Sequence, residues 1–267
     1  PKESDMSKRA VSWVVGVALA SWFLPGTMYA GEKMASQYKI NLDQDVCLAM
    51  NRAAEFLVKC QKPGKKGMAG WSWVVDKGPN AKNIAGLAAL GLLDAHQLTK
   101  DPGYLKTAQN YAKGLVAGLG SYGNKRLPYK ADIEFLARLS GETQDAAKTL
   151  FKIIQKRSKT GTQEVNRIAV GRKGTPALLG FDVALGIRAA DAVSERPYAL
   201  QMADEVLRRL PAWYNPKKDK RFSLISAGAL AVALEKLDAG HYAKAIDRFR
   251  RDLARHQAEN GSWLQNE

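Results

Sequence analysis

The sequence predicts an all-α protein assembled from repeated helical hairpins, and three observations carry that prediction. Apolar residues recur with a helical period, the periodic stretches come in pairs joined by short Pro- or Gly-containing links, and the pairs align with one another along the chain. Between Asn41 and Gln61, the residues Val46, Met50, Ala53, Leu57 and Cys60 follow the i, i+4, i+7 spacing of a buried stripe. Tyr242, Ile246, Phe249 and Leu253 repeat the arrangement near the far end. No stretch alternates with period two for long enough to insist on a strand. WSWVV, Trp71 to Val75, is the one β-like candidate and it is short.

The pairing is legible as an internal repeat. AGLAALGLLDAHQL, TKDPGY and LKTAQNYAKGL align without a gap to FDVALGIRAADAV, SERPYA and LQMADEVLRRL at a displacement of 95 positions. Pro102, Leu105, Ala108 and Leu115 then match Pro197, Leu200, Ala203 and Leu210. Asp132 and Arg138 match Asp182 and Arg188 at a displacement of 50, and AGAL at Ala227 to Leu230 echoes AGLA at Ala85 to Ala88. Units start near 85, 132, 182 and 227. A period of about 45 to 50 residues suits a two-helix unit, which buries its apolar stripe only by stacking on its neighbours. Links inside a pair are tight: DPG at 101–103, Ser140-Gly141, Arg196-Pro197 and Ala239-Gly240. Links between pairs are longer, at 61–80, 118–128, 158–175 and 211–221, and are expected to be loops gathered at one end, where repeat proteins carry function.

Residues 1–30 have the pattern of an export signal and leader, ahead of a single domain over 31–267. Met6 marks the expected start, Lys8 and Arg9 form a basic segment, and an apolar run follows from Ala10 to Leu24 before Pro25-Gly26. Cleavage is expected after Ala30, although Met28 is larger than the small residue usual at that position. The run spans roughly 22 Å as a helix, short of the ~30 Å hydrocarbon core, so removal is expected over a spanning helix. The alternative is a membrane anchor made by an uncleaved signal. No later segment is apolar enough to span a membrane. The mature chain is then expected in the periplasm or outside the cell.

Charge narrows the partners. There are 41 Lys and Arg against 26 Asp and Glu, a net +15 that becomes +14 without the first thirty residues. An exported protein this basic suits an anionic polysaccharide or another part of the cell envelope, and nucleic acid is not expected as a partner. A solvated basic surface with no specific partner is the plainer alternative. Cys47 and Cys60, on one helix, would lie ~20 Å apart, too far to bridge; Cys60 is expected to fill the core.

The segment His256 to Trp263, HQAENGSW, adds a resemblance. Gln257-x3-Gly261-Ser262-Trp263 follows a helix of the paired repeat and resembles the QW repeat of the terpenoid cyclase and protein prenyltransferase superfamily. Gln61 with Gly70-Trp71-Ser72-Trp73 is a looser, longer version, and DPGYLKTAQNYAKGL looks like the turn and outer helix of that superfamily. The resemblance covers residues 42–267 and implies an α/α toroid, typically six hairpins closed into a ring. At the repeat period seen here the chain holds fewer than five units, so it implies an incomplete ring of about nine helices, truncated at the C-terminus, whose last motif introduces a further hairpin. The motif itself reads as a clasp: the Gln amide satisfies free backbone groups at helix ends and the indole packs over it.

The chemistry that goes with the resemblance is not evident. Asp-x-Asp-Asp, the cyclase acid motif, does not occur, and Asp132-x-Glu134 is its nearest approach. Asp45-Val46-Cys47 has the spacing of the prenyltransferase zinc ligands but stands on the first helix. His96, His241 and His256 all fall at or near helix ends, so no metal or cofactor is assigned. Gly118 to Gly123 spells GxGxxG after a helix rather than a strand, and a hinge loop is the expected structure. Asp132, Glu134 and Asp182 stand at the starts of inner helices and are the candidate acid and base, although acids favour first helical turns on dipole grounds alone. Trp71, Trp73 and Tyr129 are candidates for a sugar-stacking or apolar wall, with ordinary packing as the alternative. Arg167, Arg172 and Lys173 are candidates for an anionic ligand, with a solvated loop as the alternative. Three classes stay open, in this order: an envelope protein that binds a polymer or partner, a carbohydrate-active enzyme of the lyase or glycosidase type, and a terpene cyclase-like enzyme.

Overall fold

The computed structural model describes residues 42–63, 69–74, 77–123, 126–139, 141–172, 178–213 and 224–257. They are predominantly helical. In chain order the elements are α1 (Leu42–Cys60), β1 (Ser72–Val74), β2 (Lys77–Asn80), α2 (Lys82–Thr99), α3 (Pro102–Ala117), a 3-10 turn (Leu119–Ser121) and α4 (Lys130–Leu139). There follow α5 (Glu142–Arg157), α6 (Gly161–Gly171), α7 (Leu179–Ala192), α8 (Arg196–Trp213), α9 (Leu224–Asp238) and α10 (Ala243–Arg255). Two compact units divide the chain between Ala147 and Lys148.

In the first unit α2 is the central element, packing on α1, α3 and α4. Its residues Ala85, Ala88, Ala89, Leu90, Leu92, Leu93 and Ala95 are all buried, so it is apolar on several sides and accepts several neighbours. Gly86 is required where α2 crosses α4. A Cβ there would lie 2.5 Å from Asp132 Oδ1 and 2.8 Å from the Ala131 carbonyl carbon. The α2–α3 link closes as its DPG sequence predicts. Lys100 adopts a left-handed conformation with φ 61° and its N–H bonds to the His96 carbonyl. Asp101 then accepts from Gly103 N at 2.7 Å, and Pro102 opens α3.

In the second unit α7 packs on α8 and α9, and α9 carries α10 on another side. Both inner helices are small-residue rich: Ala184, Ala189 and Ala190 on α7 and Ala227, Ala229, Ala231 and Ala233 on α9 are buried. The carbonyl of Leu237, in the last turn of α9, accepts a 2.5 Å bond from Arg196 Nη2 at the start of α8. Helix α6 lies against α8 at near-backbone contact: a Cβ on Gly161 would stand 2.7 Å from Met202 N, and Gly161 N donates to Gln201 Oε1 at 3.0 Å.

Several expectations change here. The link 158–175 contains helix α6, so ten α-helices are described rather than about nine. Its apolar period is thin, only Val165 and Ile168 being buried apolar positions, and Gly161 and Gly171 gave it a loop-like composition. The helix is set instead by its cap, Thr160 Oγ1 accepting from Gln163 N at 3.2 Å. The described parts of the link 61–80 form a ribbon: β1 pairs antiparallel with β2, Ser72 opposite Asn80 and Val74 opposite Lys77, after an isolated Lys62–Gly70 bridge. The GxGxxG segment forms the 3-10 turn directly after α3. Cys47 and Cys60 are both thiols on α1, and Cys60 is half-buried rather than core filler. Residues 1–41, on which the expected export signal falls, lie outside the described residues, as do Gly261 and Trp263. Among the described residues no helix is long and apolar enough to cross a membrane.

Candidate functional site

The first unit holds a buried polar site beside a small cavity. Asp132 enters it from the first turn of α4, where its N–H donates to the Tyr129 carbonyl at 3.1 Å. It is 1 % exposed. Tyr111, on α3, donates from its hydroxyl to Asp132 Oδ1 at 2.8 Å. The Tyr111 ring is fixed between Trp71, at 5.7 Å and edge-on, and Phe135, at 5.7 Å and tilted. Phe135 follows Asp132 by three positions and so shares its helix face. Trp71 is held in turn by a 2.8 Å bond from its indole N–H to the Leu57 carbonyl in the last turn of α1. Tyr122 and Arg126 close the site from the loop after the 3-10 turn. Arg126 lies 4.2 Å over the Tyr122 ring centroid, and donates to Tyr122 Oη at 3.1 Å and to Ser121 Oγ at 2.6 Å. Ala69, Gly70, Asn80, Ala81, Ala85 and Leu115 complete the wall of a cavity of 20 Å³. That is room for about one water, far below the ~300 Å³ at which pockets for larger ligands begin.

Burial governs the electrostatics. It pushes the Asp132 carboxyl up to about 7, against the opposing pull of the Tyr111 hydrogen bond and the Arg126 charge. The same burial, with the Asp132 carboxylate beside it, raises Tyr111 well above the phenol range. Tyr122 is raised to about 12 by burial and Asp132, with Arg126 pulling the other way. At neutral pH the two phenols keep their protons, while Asp132 is divided between its acid and carboxylate forms. The chemical capacity of the site is to hold and release a single proton at the Asp132 carboxyl.

The remaining candidates lie as follows. Glu134 is buried on α4, two positions from Asp132 and so on another face of the helix. It shares the i, i+4 face of Arg138 and adds to the field that keeps that guanidinium charged, after Asp94, which Arg138 meets at 2.5 Å. Asp182 belongs to the second unit, at the start of α7, where Arg172 Nε donates to Oδ2 at 2.5 Å. Arg167 is spent on Glu164, a fully buried carboxylate, through a fork of 2.8 and 2.6 Å bonds. Lys173 and the Trp73 side chain lie outside the described residues. Trp71 is buried and packed, whereas Tyr129 is 39 % exposed. Of the clasp residues, Gln61 Nε2 donates to the Thr107 carbonyl at 2.9 Å, inside α3 rather than at a helix end. The indole of Trp71, not the amide, takes the helix-end carbonyl. Gln257 is half-buried just beyond α10.

Sequence reasoning missed Tyr111, Tyr122 and Arg126. Tyr111 lies inside a phrase that resembles an outer helix, Tyr122 lies within the GxGxxG segment, and Arg126 lies just beyond it. The signal lies in two tyrosines, Tyr111 ahead of that segment and Tyr122 within it. Among the described residues no three His, Cys, Asp or Glu side chains gather into a metal-binding group. No protein-family description, curated protein or solved structure matches the chain.

Proposed function

We propose that the chain is an exported protein of the α/α-toroid type that binds an acidic polysaccharide of the cell envelope on its outward helix faces. The toroid part rests on layering within each unit. First helices of successive pairs pack on each other, α2 on α4 and α7 on α9, while α3, α8 and α10 lie against them as second helices. Export rests on the pattern of residues 1–30.

The observation that carries the binding role is the sign of the exposed charge on the second helices. Exposed bases are Lys106 and Lys113 on α3, Lys148, Lys152, Lys156 and Arg157 on α5, Arg196 and Arg208 on α8, and Lys244, Arg248, Arg251 and Arg255 on α10. The exposed acids among the described side chains of these helices are Asp145, Asp204 and Asp247. Several cations per face attract a polyanion cooperatively, and the attraction weakens as salt shortens the Debye length. The test is retention of the mature protein on immobilised alginate and on a neutral glucan of similar length. Retention on alginate alone, with release by moderate salt, is expected. Passage through both columns, or retention that salt does not alter, contradicts the reading.

A further inference from the structure

Helix α10 gathers four exposed cations on one side. Lys244, Arg248, Arg251 and Arg255 follow the i, i+4, i+7, i+11 spacing, which puts them inside an arc of about 60° and along a line of about 16 Å. All four are exposed. Ile246, Phe249 and Leu253 fall on the opposite side and are buried, with the helix packed on α9. Arg250, between the two sides, is anchored to Glu235 of α9 at 2.7 Å. The stripe therefore faces away from α9 along its whole length.

Two acids flank the stripe. Asp247 stands three positions after Lys244 and four before Arg251, and Asp252, 4.0 Å from Arg248, stands four positions after it and three before Arg255. These pairs offset the repulsion between neighbouring cations of the stripe. The cations still exceed the acids along this helix, so its outward face keeps a positive field.

We infer that the α10 stripe is the primary track for a linear acidic polysaccharide lying along the helix axis, an inference that rests on the polymer-binding reading above. A polysaccharide is favoured over a lipid surface because the apolar side of α10 is consumed by α9. No apolar face is left on this helix to enter a bilayer interface beside the cations.

The test compares the wild type with two charge-neutral variants on immobilised alginate at low salt. One is Lys244→Gln/Arg248→Gln/Arg251→Gln/Arg255→Gln on α10; the other is Lys148→Gln/Lys152→Gln/Lys156→Gln on α5. The α10 variant is expected to bind about tenfold to a hundredfold more weakly, with the α5 variant close to wild type. Circular dichroism melting keeps the result interpretable: Arg248→Gln takes the 4.0 Å partner from Asp252, so a small drop in melting temperature with the helical signal intact is expected. Arg248→Lys/Arg251→Lys/Arg255→Lys is expected to keep wild-type binding. If wild type binds and the α10 variant binds equally well, the track is wrong and the broader reading stands. If wild type does not bind, the broader reading itself fails. Equal or tighter binding of the wild type to phosphatidylglycerol vesicles at the same salt overturns the choice of a polysaccharide. So does an α10 variant that melts well below the wild type, which would make the stripe structural.

Discussion

Tyr111 donates a 2.8 Å hydrogen bond to Asp132, a carboxyl that is 1 % exposed and titrates at about 7. The bond favours the carboxylate, yet burial wins. One phenol hydroxyl cannot replace the water that a charged carboxylate loses on entering a nearly dry site.

This gives a pH dependence with a definite sign. The Asp132 pKa is raised in the folded chain from 3.8 to about 7. The folded state therefore binds more protons between those values, and its contribution to stability is full below the lower one. That contribution declines as pH rises and is lost above the higher one. Chemical denaturation of Asp132→Asn and wild type across this window measures it. The variant is expected to gain on the wild type by a few kcal/mol as pH rises from about 5 to about 8. A constant difference contradicts the assignment.

Two glycines of α2 should respond in opposite ways to the same substitution. Gly86→Ala drives a methyl group to 2.5 Å from Asp132 Oδ1 and 2.8 Å from the backbone of α4. A destabilisation of about 1–3 kcal/mol or more is expected. At Gly91 the nearest atom is Leu57 Cδ1 at 3.9 Å, so Gly91→Ala adds helix propensity without a clash. A gain of about 0.5–1 kcal/mol is expected there. Urea midpoints of the two variants, measured side by side, decide it.

Trp71→Phe keeps most of the ring packing against Tyr111 but removes the 2.8 Å bond to the Leu57 carbonyl. A loss of about 1–3 kcal/mol is expected, because that carbonyl closes α1 in a buried setting. Gln61→Ala removes a bond to Thr107, a carbonyl within α3, and should cost less. The reverse order would mean that the amide, not the indole, is the clasp.

The export reading is checked by the mass and N-terminal sequence of the protein recovered from outside the cytoplasm. A species beginning at Gly31 is expected. Recovery of the intact apolar run from Ala10 to Leu24 in a membrane fraction would point to the anchor instead.

Much of the helical architecture was legible in the sequence, for physical reasons that also mark where legibility stopped. The hairpins around DPG and Arg196-Pro197 were visible because their stripes are long and their turns need Pro, Gly or a left-handed residue. Helix α6 was not, because it is fixed by the Thr160 cap and by Gly161 lying against α8. Neither leaves a periodic signal. The Asp132 site was half visible: its carboxylate stood out as a helix-start acid, but Tyr111 and Tyr122 reach it from 21 and 10 positions away. The α10 stripe could have been read at once, as the polar complement of Tyr242, Ile246, Phe249 and Leu253.

The most direct test is the salt dependence of alginate binding by the wild type and the four-Gln α10 variant. Four helix-borne cations that displace counterions from a polyanion should steepen the plot of log Kd against log salt. The slope is expected to fall by roughly two to three when they are removed. Parallel lines for the two proteins would contradict the account.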